Sequence, residues 1–222
     1  MELDTEFRYP NVIDFFGTTL FHLCHFTKSD LFDYSAYNQY AENNIKQSDK
    51  LVSDEISKHL QNNDESHHED IICGYSREFQ EFGYIYPSMH RKSMVIALYN
   101  FFEHQIKTMC EAGFDMNQES TLWKLWEDML KVEQIRHVLV HSEGEIEKHR
   151  AERLADIKSY CNRKENIRLN KHKIIIDEGY VAGLITELIS LFELLDRLIR
   201  RYESEHGSYE VPLPQGVSRT PL

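Results

Sequence analysis

A chain of 222 residues, 41% hydrophobic and 28% charged, is long enough for one large domain and apolar enough to bury a core. Twelve Tyr and twelve Phe against nine Gly and five Pro favour long regular elements over a turn-rich sandwich. The net charge of −12 argues against a protein that wraps nucleic acid by neutralising many phosphates, so any contact with RNA is expected to be local or confined to a cleft.

Cys24, Cys73, Cys110 and Cys161 are far apart and form no close ligand pairs, which argues against a structural zinc and against a disulfide framework. The first ten residues, MELDTEFRYP, are acidic, and no apolar run approaches the roughly eighteen residues that a membrane span needs. A reducing cytosol is the expected compartment, and no cofactor motif is present: there is no Gly-rich phosphate loop, nucleophile elbow or HExxH helix.

Residues 11–26 (NVIDFFGTTLFHLCHF) are aromatic-rich and read as a short helix or a packed extended segment, with His22, Cys24 and His25 as core or boundary residues. Residues 35–60 carry a mostly polar helical pattern whose apolar side is Tyr37, Tyr40, Ile45, Leu51, Val52, Ile56 and Leu60. QNNDESHHED (61–70) has no apolar residue and reads as an exposed loop. His67, His68, Asp70 and Cys73 sketch a metal site there, but a solvated polar loop is the simpler reading.

From about Pro87 to Glu111, Val95, Leu98, Tyr99, Phe102, Ile106 and Met109 recur at helical spacing. AGFDMNQES breaks the pattern, and Ser120 is placed to cap a helix from about Thr121 to His141, with Leu122, Leu125, Met129, Val132 and Leu139 on one side and Gly144 as its stop. Residues 145–162 are heavily charged and read as an exposed helix. IRLNKHKIII (167–176) is β-branched around a polar centre at Asn170–Lys171, as in a small hairpin. Asp177 is the expected cap of a last helix, about 178–202, striped by Val181, Leu184, Ile185, Leu188, Leu191, Phe192, Leu195 and Leu198. The expected fold is therefore all-α, a bundle of long core helices with a small β-hairpin near 167–176. Residues 1–86 are read as a helical extension packed on the core, 87–205 as the bundle, and 206–222 as an extended or disordered tail.

The helix at 121–141 contains the residue that departs from its own stripe. Continuing 122, 125, 129 and 132 leads to 136 and then 139, and position 136 is Arg. A guanidinium in an apolar seat is costly unless it is paired or faces a cleft; the plain alternative is an arginine snorkelling from the edge of the stripe. Glu103, one turn after Tyr99, is a possible bidentate partner for Arg136 across two facing helices. His141 follows Arg136 by five residues, a divergence of about 140° on an ideal helix, and His137 shares the face of His141. The spacing alone carries little, since Arg201 and His206 repeat it off the stripe at the end of the last helix.

In context, IRHVLVHSEG resembles the signature of the HEPN superfamily: Arg, a polar residue, aliphatic positions, then His. RKSMVIALYNFFEHQIKTMC, with its acidic Glu103, is similar to the helix that leads into that signature, and IIIDEGYVAGLITELISLFELLDRL to the family's last helix. The resemblance covers about residues 87–202. It implies a homodimer in which two motifs meet across a two-fold axis, and a metal-independent endoribonuclease of stress, defence or toxin–antitoxin type, with Arg136 and His141 catalytic and Glu103 and His137 supporting. One His141 would deprotonate the ribose 2′-OH and the partner's would protonate the leaving 5′-oxygen, giving a 2′,3′-cyclic phosphate from single-stranded or loop RNA. Toxins of the family that carry a Tyr two residues after the His differ from this chain, which has Glu143 there. The alternative is a non-catalytic dimeric helical module that binds a regulatory or antitoxin protein, or a nucleotide.

Overall fold

No Gly or Pro lies between Gly17 and Gly74, so the strongest helix breakers are missing from that stretch. The computed structural model, which describes residues 20–111, 120–146 and 151–206, accordingly has α1 running unbroken over Leu20–Gln61, well beyond the 35–60 expected from periodicity. Residues 11–19 of the aromatic-rich segment and 207–222 of the expected tail lie outside the described residues.

The inward face of α1 mixes apolar and polar residues: Ile45, Val52, Ile56 and Leu60 of the expected apolar side are partly buried, on the same helix face as Asn38 and Glu42. Tyr37, Tyr40 and Leu51 are 57%, 69% and 61% exposed, whereas Asn38 and Glu42 are buried. After α1 come a single 3₁₀ turn (Glu65–His67), α2 (His68–Gly74), α3 (Ser76–Gln80), a π-turn (Glu81–Ile85) and α4 (Tyr86–Glu111). The loop expected at 61–70 thus closes into helix from His68 onward. Pro87 sits in the first turn of α4 directly after the π-turn. A widened turn is a fitting neighbour for a residue with no N–H to donate.

α5 spans Ser120–Ser142 and α6 spans Ala151–Arg163. β1 (Ile167–Asn170) and β2 (Lys173–Ile176) then form an antiparallel hairpin, Ile167 facing Ile176 and Asn170 facing Lys173. The polar centre read at Asn170–Lys171 is where the hairpin turns, with Lys171 at φ +56°. The last helix, α7, spans Tyr180–His206, two residues later than expected at its start. Its expected cap, Asp177, has another role: its carboxylate takes both donors of Arg168, at 2.7 and 3.1 Å.

Among the described residues the fold is therefore all-α apart from one small hairpin, and no described helix is long and apolar enough to cross a membrane. The described residues group into two units. The first comprises residues 20–33, 98–111, 120–133 and 184–206, and buries Leu31, Leu98, Phe102, Val132, Leu188 and Phe192. The second comprises 34–97, 134–146 and 151–183, and buries Val95, Ile135, Ile157, Tyr160, Ile174 and Val181.

Candidate functional site

Of the four residues put forward for catalysis, Arg136, His137 and His141 lie in the second unit, on the last turns of α5. Burial along this helix runs through Met129, Val132, Ile135, Val138 and Leu139. The apolar seat assigned to Arg136 is filled by Ile135, which is fully buried; a step of three or of four from Val132 serves a helix equally well. Arg136 stands beside that seat, half-buried with its Nε buried. Glu103 is half-buried on the part of α4 that belongs to the first unit.

α5 remains helical through Ser142, so Arg136 and His141 keep the divergence that five residues impose. His137 and His141, one turn apart, meet ring to ring with centroids 4.5 Å apart and planes inclined at 49°. They line a cavity of about 90 Å³ together with Ser142, Glu145 and Arg153, closed below by Val138 and Ile146. Arg136 does not line it. That volume is far below the several hundred Å³ of a pocket for a drug-sized ligand, and is the scale of one small group.

The backbone explains how a charged segment distant in sequence reaches the two imidazoles. Glu143 (φ +52°) and Gly144 (φ +92°) turn the chain out of α5 in the left-handed region. The Gly144 N–H donates to Val138 C=O at 3.1 Å, and Lys92 Nζ donates to Glu143 C=O at 3.1 Å, so the helix end is not left open. Residues 144–146 then run along β2: Ile174 N–H donates to Gly144 C=O, and Ile146 N–H to His172 C=O, both at 2.8 Å. Burial, helped by the charge of Lys173, holds the Lys92 ammonium below its usual pKa. A Cβ at Gly144 would meet its neighbours only at ordinary contact distance, 3.4 Å from Leu139 Cδ2, so it is the φ of +92° that calls for glycine.

Sequence reasoning missed Arg153, Glu145 and Ser142. Arg153 is one of several cations in EGEIEKHRAERLADIK, and only the chain reversal at 143–146 selects a member of that run. Sequence reasoning also missed a polar cluster on the inward face of α1. Arg91 Nε and Nη2 donate to the two Glu42 carboxylate oxygens at 2.7 and 2.8 Å, and His90 Nε2 pairs with Asn38 Oδ1 at 3.0 Å. Burial opposes the Glu42 charge, but the hydrogen bonds and charge of Arg91 outweigh it and hold the carboxyl below its usual range. Burial lowers the His90 pKa, against the pull of Glu42. The readable signal was Asn38 and Glu42 at a spacing of four on a helix with an exposed tyrosine face.

The metal site sketched at 67–73 does not assemble. His68 Nε2 lies 2.9 Å from Leu60 C=O and 3.1 Å from Asn63 C=O, closing the end of α1, and no group of three His, Cys, Asp or Glu is placed to hold a metal among the described residues. His25 is exposed on α1 beside Phe26; His22 and Cys24 lie among residues whose side chains are not described. Comparison with family models, with curated proteins and with solved structures finds no match for this chain.

Proposed function

We propose that this protein is a metal-independent endoribonuclease of HEPN type, acting in the cytosol as a homodimer in a stress, defence or toxin–antitoxin role. The observation that carries the reading is the meeting of two imidazoles at 4.5 Å on one face of α5, in a cavity that also holds an arginine. Imidazole is the side chain best suited to give and take protons near neutral pH. In the reaction, an imidazole removes the ribose 2′-OH proton while O2′ attacks phosphorus. The bond to O5′ breaks, and a protonated imidazole supplies that oxygen with its proton. The products are a 2′,3′-cyclic phosphate and a 5′-hydroxyl, and no water is consumed. A guanidinium suits the charge that gathers on the non-bridging oxygens. His141 and its neighbour Val140 are exposed, which leaves this end of α5 open to RNA or to a second copy. The buried free thiol of Cys161, pushed up to about 11 by burial, fits a reducing compartment.

The test is incubation of unstructured RNA with the purified dimer in excess EDTA. Cleavage that persists under chelation, and that stops at positions carrying a 2′-deoxy sugar, is expected. Cleavage abolished by EDTA, or indifferent to the 2′-hydroxyl, contradicts the reading.

A second reading has its own support. A net charge of −12 disfavours polyanion binding, and Ile72, Phe79, Tyr84, Tyr86 and Met89 are exposed along the second unit, as on a module that binds a protein partner. Loss of phenotype on deleting those apolar residues, with no RNA cleavage by the intact protein, would favour it.

A further inference from the structure

Building on the ribonuclease reading, we infer that Arg153, and not Arg136, is the cation that holds the scissile phosphate against His137 and His141 of the same subunit. Three observations carry this. Arg153 lines the cavity with both imidazoles, whereas Arg136 lies beside the helix's apolar stripe and does not line it. The Arg136 Nε is buried, so that edge of its fork is turned into the protein. Arg153, in the first turn of α6, has no competitor for its fork among the described residues, making no hydrogen bond or ion pair with them.

The same cavity indicates which phosphate it takes. Its volume of about 90 Å³ admits a phosphate group and leaves the bases outside. The floor of Val138 and Ile146 is apolar and buried, which strengthens a charge pairing made above it. Glu145 adds a carboxylate to the rim, which sets a monoanionic phosphodiester ahead of a dianionic monoester. Arg153 is thus a phosphate-binding residue, and its planar fork can engage both non-bridging oxygens of a diester.

Imidazole Cε1–H resonances of His137 and His141 are followed by NMR during titration with a dinucleotide monophosphate whose attacking 2′-hydroxyl is replaced by hydrogen. The intact dimer is compared with Arg153→Gln, Arg153→Lys and Arg136→Gln. Saturable shifts of both imidazoles are expected, weakened about tenfold or more by Arg153→Gln, partly kept by Arg153→Lys and unchanged by Arg136→Gln. Inorganic phosphate at a pH where it is a dianion is expected to bind more weakly than the diester. Unchanged affinity in Arg153→Gln, an equal or larger loss in Arg136→Gln, or no shift in the intact protein overturns the inference. Cleavage of the ribose form is scored in parallel. Intact cleavage with Arg153-independent binding retires Arg153 and keeps the ribonuclease, whereas Arg153-dependent binding without cleavage retires the ribonuclease and keeps the phosphate site.

Discussion

The second unit holds two clusters built from the same kinds of side chain. At the inward face of α1, Asn38, Glu42, His90 and Arg91 are matched to one another donor for acceptor. At the end of α5, His137, His141, Glu145 and Arg153 surround a small cavity. Histidine, arginine and carboxylate occur in both, so residue type does not separate them. What separates them is commitment. The first cluster pairs its polar groups with one another in a buried network, while Arg153 and Glu145 of the second line a space. A polar cluster with a cavity is positioned to act on something else; one without a cavity holds helices together.

Substitutions should therefore divide cleanly between chemistry and stability. The largest effect is expected from His141→Ala, a loss of ~10²–10⁴-fold in RNA cleavage with little change in the melting temperature, because the ring is exposed. An unfolded variant, or one as active as the parent, would break the division. Next is removal of one partner of the inward pair. Arg91→Ala or Glu42→Ala should cost roughly 3 kcal/mol in a denaturant titration, because it leaves the other charge half-buried and unmatched. The remaining folded fraction should cleave at the parental rate. Gly144→Ala joins the two regions of behaviour. An L-residue at φ +92° costs about 1–2 kcal/mol, and the strain falls on the turn that carries residues 144–146 past the imidazoles, so stability and cleavage should decline together.

The smallest effect concerns pH. His90 has a folded-state pKa below its ordinary 6.5, so the unfolded chain binds the proton first and stability falls as pH drops below about 6.5. Glu42, also depressed, removes further stability only below its ordinary 4.5. Urea midpoints measured between pH 7.5 and 5.5 should decline modestly, and His90→Asn should flatten that slope. A slope unchanged in His90→Asn would assign the effect elsewhere.

Much of the scaffold was legible because long apolar stripes leave few alternatives. The stripes of α4 and α7 and the hairpin at 167–176 were read from spacing and β-branching, and the stop at Gly144 from a single residue. The errors have physical causes. On α1 the expected apolar side is half right: Ile45, Val52, Ile56 and Leu60 turn inward, but Asn38 and Glu42 fill buried positions on that face while Tyr37, Tyr40 and Leu51 are exposed. At Arg136, periodicity cannot choose between a step of three and a step of four, and Ile135 takes the buried position. Arg153 joins the imidazoles through a chain reversal at 143–146 whose hydrogen bonds run to β2, a tertiary event with no local signature. His137 and His141, by contrast, were legible as a pair from their spacing of four alone.

A diribonucleoside monophosphate is followed by ³¹P NMR with the purified protein in excess EDTA, beside His141→Ala at the same concentration. Growth of a 2′,3′-cyclic phosphate resonance is expected with the parent protein and none with the variant. A substrate signal that does not change, conversion to a linear monophosphate without a cyclic stage, or equal turnover by His141→Ala would contradict the ribonuclease reading.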